Sequence, residues 1–473
     1  MTEQFEDILQ DHSFQKTLSD LAAKLEVSTL EVNTKAGEAL KEMYTLQHPI
    51  LQTVGVQMAE YIVDRAYEKT IDVNIAELKA LTKLMRTHSI AFVMTHKTYI
   101  DMFVLGITLA RHGLKIPFIF AGANMAFAGL GQLGKRAGAI FIRRSFKDDE
   151  IYKATLRHFI AHLVKSREHF MWALEGTRSR TGKLVWPKMG ILKYIQEAEM
   201  HSKAPVKYVP VSIVYDLIPD VEDMTQEGRG KSKKSESLAW FVNYIRKMGE
   251  DHGRISLRIG EAVDYNEIEK SIVPTNENDD SPSISRFAFE LAYNINEATP
   301  VTTISLICMA LLSKYALTKR SIESIVMELM QIIETQRPDA LVDRGKNLGN
   351  HIQRSLNLLI KSKIIQLVGD GVEAKYSIVP ENYMKANYYA NMATHHLYQR
   401  AFIELALMKL IQEKPKDRMM KFWEEIMEIR DLFKFEFFYA NKADFSDQIE
   451  SQLASLHKDW FDIIQSKPSD IKK

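Results

Sequence analysis

Cysteine is almost missing from this 473-residue chain, with Cys308 the single example. One thiol excludes an internal disulfide framework and fits a reducing compartment. Cys308 also stands in an apolar run, where a cysteine is a small core residue rather than a nucleophile. Excess charge is missing as well: 62 Lys plus Arg against 61 Asp plus Glu leave a formal net charge of +1. That excludes a strong overall pull toward nucleic acid or acidic lipid and leaves only local patches. No stretch qualifies as a membrane span. Ile90 to Ala110 is long and apolar but carries His96, Lys97 and Asp101, and Val301 to Leu312 falls short of the ~20 residues a spanning helix needs. The acidic start, Met1 to Asp7, lacks the basic and apolar regions of a secretory signal, so a cytoplasmic setting is expected.

What is present divides into three parts, within the two or three domains that the length allows. Residues 1–80 read as a helical N-terminal domain, with Leu40, Met43, Tyr44, Ile50, Leu51 and Val54 near helical spacing and no strand-like alternation. Residues 81–300 alternate strands with helices, which predicts an α/β domain built on a largely parallel sheet. Leu156, Phe159, Ile160, Leu163 and Val164 mark a helix that covers this sheet. Residues 301–473 read as mainly helical. Within them, helices over Leu317–Thr335 and Leu348–Ile365, then Ile364–Val368, a Gly369-Asp370-Gly371 turn and Ala374–Val379, outline a winged helix. Arg344, Lys346, Arg354, Lys361 and Lys363 do not make a dense basic face there, so packing or homodimerisation is expected of it, with a non-enzymatic nucleic-acid or protein binding module as the competing reading. Two polar inserts, 227–237 and 274–285, read as exposed loops. The basic one is expected to be solvated, with binding of a donor phosphate the alternative. The run 116–130 mixes aromatic with small residues and reads either as a membrane-contacting surface or as a buried wall of an acyl tunnel.

Four segments carry chemistry. In the first, an apolar strand, Ile90–Met94, leads into His96, and Asp101 follows five residues later. Five positions on one ideal helix lie roughly 140° apart, so His96 is expected in the turn and Asp101 near the start of a helix over Ile100–Arg111, facing back. An imidazole fixed by a carboxylate is a general base for an alcohol. In the second, the strand starting at Phe170 runs into Glu175-Gly176-Thr177-Arg178-Ser179-Arg180-Thr181-Gly182-Lys183, a loop of cations and hydroxyls suited to an anion. In the third, a short strand within 138–146 ends in Arg143 and Arg144. Strand alternation turns one guanidinium to the pocket and the other elsewhere, unless a local twist brings both round. The fourth is a strand over Val206–Tyr215 whose Pro210 implies an edge, a strand start or a bulge.

Taken together and in order, His96 with Asp101, GAIFIRRSF, EGTRSRTG and VPVS resemble the four blocks of the glycerolipid acyltransferases, closest to the glycerol-3-phosphate and dihydroxyacetone-phosphate acyltransferases. The strand around Gly253–Val263 and the segment Ile295–Thr302 resemble later parts of the same enzymes. The resemblance implies an acyltransferase core flanked by helical regions and transfer of a fatty acyl group from a thioester to the sn-1 hydroxyl of glycerol 3-phosphate. His96 and Asp101 would be catalytic. Arg143, Arg144, Arg178 and Arg180 would hold the phosphate, with Arg144 and Arg178 in direct contact. Glu175, Gly176, Ser179 and Pro210 would position substrates. No metal and no permanently bound cofactor are implied; acyl-CoA or acyl carrier protein would be the co-substrate. A peripheral contact with the inner face of the cell membrane is expected, because the product is a lipid. Dihydroxyacetone phosphate or another phospho-alcohol remains an alternative acceptor.

Overall fold

The structure, a computed structural model, describes residues 3–123, 130–143, 145–146, 148–232, 238–270, 281–343, 345–413 and 416–466. Arg144, residues 124–129 of the aromatic run and much of both polar inserts lie outside the described residues. The core is a seven-stranded sheet of β1 (Ile71–Val73), β2 (Ser89–Met94), β3 (Phe118–Gly122), β4 (Ala139–Ile142), β5 (Phe170–Ala173), β6 (Val206–Tyr215) and β7 (Ile255–Ile259), in the order β1-β7-β6-β2-β5-β3-β4. From β6 to β4 every neighbouring pair is parallel. β7 runs antiparallel to β6, and β1 joins β7 in parallel. The sheet is therefore largely parallel and carries a reversed edge. The residues 71–73 that form β1 are the exception to the expected strand-free first 80 positions; Arg258 holds this edge through Asp72, Nη2 to Oδ2 at 2.8 Å.

β2 occupies the middle because all six of its residues are apolar or small, and all six are buried. Ile90, Phe92 and Met94 face one apolar cluster while Ala91 and Val93 face another, as expected of a strand covered on both faces. The Asp101–Arg111 helix packs with the N-terminal Pro49–Ala66 helix, and the Glu150–Lys165 helix with Thr29–Met43 and Met189–Ser202. Cys308 is buried in the Thr303–Ser313 helix, and burial pushes its thiol far above the ordinary range. No helix among the described residues is long and apolar enough to cross a membrane.

Past residue 313, Leu317–Thr318 is not helical as expected but forms a third strand (β8) beside β9 (Ile365–Val368) and β10 (Lys375–Ile378), in the antiparallel order β8-β10-β9. The helices Lys319–Gln336 and Leu348–Lys361 lie between β8 and β9 in the chain. The element order from Thr303 to Ile378 is thus helix, strand, helix, helix and a two-stranded hairpin that pairs with the first strand. Helices Tyr383–Asn391, Tyr398–Glu413, Arg418–Leu432 and Lys442–Leu456 follow.

Candidate active site

The parallel strands deliver their following loops to one end of the sheet, where ligands of such folds bind. β2 ends at Met94, His96 stands in the turn, and Asp101 is the first residue of the next helix. The Asp101 carboxylate reaches back over the turn. Its Oδ2 accepts from the backbone N–H groups of Lys97 (2.7 Å) and Thr98 (3.0 Å) and lies 3.1 Å from His96 Nδ1, while Oδ1 accepts from the Tyr215 hydroxyl at 2.7 Å. Burial, reinforced by the Asp101 charge, pushes the Tyr215 phenol well above its ordinary range, so it stays a donor. A carboxylate only accepts, so Nδ1 carries the imidazole proton and the lone pair sits on Nε2. Nε2 has no hydrogen bond among the described residues, and the His96 side chain is 22% exposed.

Glu175, at the end of the neighbouring β5, ties this turn to the anion loop. It is fully buried; Oε1 accepts from the His96 backbone N–H at 2.8 Å and Oε2 from that of Val185 at 3.0 Å. Burial raises its carboxyl to about 7, against the opposing pull of Lys97 and of the two N–H donors. Ser179 N–H donates to the His96 carbonyl at 2.8 Å, and the buried Lys97 ammonium donates to the Gly182 carbonyl at 2.5 Å. The loop 175–183 is thus held against the histidine turn by three separate bonds. Ser179 keeps it folded: its hydroxyl donates to Lys183 O (2.7 Å) and accepts from Gly182 N (3.0 Å), which places it inside the loop rather than toward a substrate. Gly176 has φ +63°, and a Cβ there would stand 2.9 Å from the Lys188 side chain.

The cations are distributed unevenly. Arg178 is 8% exposed and stacks over the Tyr99 ring at 3.9 Å. It donates to the buried Asp220, whose other oxygen accepts from the Thr98 hydroxyl at 3.0 Å. The guanidinium expected to touch substrate directly is therefore packed beneath the site, because a buried carboxylate and an aromatic face claim it. Arg180 is more open, with 40% of its side chain exposed. Glu227 faces both, 3.7 Å from Arg178 Nη2 and 3.3 Å from Arg180 Nε. This residue was expected in an exposed loop but belongs to the Val221–Gly228 helix, with its side chain 10% exposed.

Arg143, expected at the phosphate, turns the other way. Its Nε and Nη2 take both oxygens of Glu42 at 2.8 and 2.5 Å, Nη1 takes Asp149 at 2.9 Å, and the guanidinium lies 4.4 Å over the Tyr152 ring. Strand alternation is the reason: the face of β4 that presents Arg143 is covered by the N-terminal helices. Arg144 lies outside the described residues. Pro210 pairs with Val93 in the parallel register, three residues from His96. Between Val211↔Ile259 and Tyr208↔Val263 the partner chain has one residue more than β6, so the proline sits at a bulge, its carbonyl accepting from Gly260 N at 2.8 Å.

Asp220, Glu227, Tyr215 and Lys97 were not singled out from the sequence. The first three follow from strand order: β6 neighbours β2, so what leaves β6 stands beside the histidine turn. An acidic cluster after a β-strand was the one visible signal.

Comparison with known proteins bears on the family. The family described as "Glycerol-3-phosphate acyltransferase C-terminal region" matches residues 224–472, more than half of the chain, and the family described as "Acyltransferase" matches residues 74–214. Proteins named as acyltransferase plsB1 from Mycobacterium tuberculosis and Mycobacterium bovis are 33% identical over 82% of this chain, and a glycerol-3-phosphate acyltransferase from Shewanella halifaxensis is 27% identical over 86% of it. The chain spans 63% of the length of the former and 51% of the latter. The 1-acyl-sn-glycerophosphate acyltransferase PlsC of Thermotoga maritima aligns with 51% of this chain and 78% of its own at 16% identity and a TM-score of 0.30. The chain belongs to the glycerol-3-phosphate acyltransferase family.

Proposed function

We propose that the chain transfers an acyl group from a thioester donor to the sn-1 hydroxyl of glycerol 3-phosphate. The observation that carries this reading is His96, partly exposed and with no hydrogen bond on Nε2 among the described residues, its Nδ1 held by Asp101 and its main-chain carbonyl tied to the arginine loop. Nε2 removes the hydroxyl proton as the oxygen attacks the thioester carbonyl. Asp101 stabilises the imidazolium that results. The tetrahedral intermediate collapses, the C–S bond breaks, and the imidazolium returns its proton to the departing thiolate. Arg180, with Arg178 behind it, supplies the positive field for the acceptor's phosphate. No covalent acyl-enzyme is required, and the one cysteine is buried with its thiol protonated.

The test is thiol release from palmitoyl-CoA and from palmitoylated acyl carrier protein, each offered glycerol 3-phosphate, dihydroxyacetone phosphate and unphosphorylated glycerol. Acylation of glycerol 3-phosphate, lost on omitting the phosphate and reduced by about 10²–10⁴-fold in His96→Ala, is the expected result. Equal turnover in His96→Ala removes the general-base mechanism, and preference for dihydroxyacetone phosphate transfers the same mechanism to the other acceptor.

A further inference from the structure

Glu227 is the one carboxylate that faces both guanidinium groups of the EGTRSRTG loop among the described residues. Its contacts differ in kind from those of Asp220. Asp220 takes a hydrogen bond from Arg178 in a buried pair that also engages Thr98. Glu227 approaches at 3.7 Å and 3.3 Å, and neither approach meets the geometry of a hydrogen bond. A carboxylate placed between two arginine forks but bonded to neither gains only Coulomb attraction, weaker than the charge-assisted bonds those forks make with phosphate oxygens. It sits near the end of the Val221–Gly228 helix, beside Arg229 and Lys231 of the basic insert.

We infer that Glu227 is an acceptor-specificity residue: its carboxylate occupies the anion position between Arg178 and Arg180 in the empty enzyme, and the acceptor's phosphate must displace it. This rests on the proposed reading of that loop as the phosphate site. Two consequences follow from charge alone. A dianionic phosphate, with about 1.5 to 2 negative charges, outcompetes the carboxylate, whereas a singly charged or neutral acceptor gains little by displacing it. Removing the carboxylate's charge favours every anion at this position and narrows the preference for the dianion.

The experiment titrates the full chain with inorganic phosphate by calorimetry and measures the KM for glycerol 3-phosphate in wild type, Glu227→Gln, Glu227→Asp and Arg180→Gln. Glu227→Gln is expected to bind phosphate about five- to tenfold more tightly and to lower KM in proportion, a shift of about one decade per 1.4 kcal/mol. Glu227→Asp, with a shorter reach, shifts in the same direction by less, and Arg180→Gln weakens both. A merely structural role predicts the reverse sign, since loss of an ion pair would loosen the loop and weaken binding. Unchanged or weaker phosphate binding in both Glu227 variants overturns the inference. The two readings fail separately: a wild type that binds phosphate yet acylates nothing ends the proposed reaction, while the sign of the Glu227 effect on phosphate binding still decides this one.

Discussion

At the scale of single residues, side-chain burial separates groups left open at the candidate site from groups that hold its loops in place. Arg143 and Arg180 were read from the sequence as equals. The structure gives Arg143 two carboxylates and a tyrosine face next to the N-terminal helices, and leaves Arg180 partly open beside the histidine turn. Arg180→Gln should raise the acceptor KM by about tenfold, roughly the 1.4 kcal/mol of one charge-assisted contact. Arg143→Gln should instead lower the melting temperature slightly, because partly exposed ion pairs contribute about 1 kcal/mol or less. Steady-state kinetics and a thermal melt on both variants separate the roles, and a large KM effect from Arg143→Gln would reinstate it at the phosphate.

Glu175 makes a second residue-scale prediction, through pH. Its carboxyl is held at about 7 in the fold, mainly by burial, against an ordinary 4.5. Between those values the folded chain binds a proton that the unfolded chain does not, so this group's contribution to stability falls as pH rises from 4.5 to 7 and is flat outside that window. The full span corresponds to about 3 kcal/mol. Glu199, also raised to about 7 by burial, acts in the same direction, and His169 and His396, both lowered to about 4 by burial, act in the opposite one. Comparing Glu175→Gln with wild type in urea titrations at pH 5, 6, 7 and 8 cancels those three. The variant should lose the downward slope that belongs to Glu175. It should also sit lower at pH 5, since an amide nitrogen cannot accept, and one of the His96 and Val185 N–H groups is left unpaired.

At the scale of elements, the strands were the most legible part of the chain. Val206–Tyr215 is bounded as expected, and Ile90–Met94 is extended by Ser89 alone. Continuous apolar runs of this length, flanked by turn residues, have few other uses in an α/β protein. What periodicity could not supply is order. Nothing local says that β6 lies beside β2, and so nothing local pointed to Tyr215 or Asp220 as partners of Asp101 and Arg178. The helix expected over Leu317–Thr335 shows the converse limit: Leu317 and Thr318 pair with Tyr376 and Lys375, nearly 60 residues on, and pairing overrides local pattern. The central strand also makes a quantitative test. Phe92 is fully buried between β5 and β6, so Phe92→Ala should cost about 3–5 kcal/mol by urea denaturation, and a loss under 1 kcal/mol would mean the β2 core is loosely packed.

At the scale of the whole molecule, the question is what the C-terminal region does for a site built on the sheet. Its Leu348–Lys361 helix, the one a winged helix would use, faces the sheet domain at one edge. Arg354 of the Leu348–Lys361 helix pairs with Glu68, and Asn350, Gln353, Arg354, Asn357 and Lys361 line a cleft of about 410 Å³ together with Asp251, which precedes β7 of the sheet domain. Arg254 beside β7 takes both oxygens of Asp343 at 2.6 and 2.9 Å, which binds the two halves near the same edge. The tighter connection is at the anion loop. Asn391 Nδ2 donates to the Thr181 carbonyl at 2.8 Å, Lys183 reaches Glu436 at 2.6 Å, and Gly182, at φ +88°, lies so close to the Tyr383–Asn391 helix that a Cβ would fall 2.0 Å from the Tyr388 carbonyl oxygen. No side chain fits in that gap, and the left-handed backbone costs any other residue about 1–3 kcal/mol besides. Gly182→Ala must therefore push the helix off the loop or bend the loop away from His96. The expected outcome is a lower melting temperature together with a raised acceptor KM and faster proteolysis between the two halves. If Gly182→Ala loses stability alone and keeps its acceptor KM, the C-terminal region is a passive cover; if both change together, it is a working wall of the acceptor site.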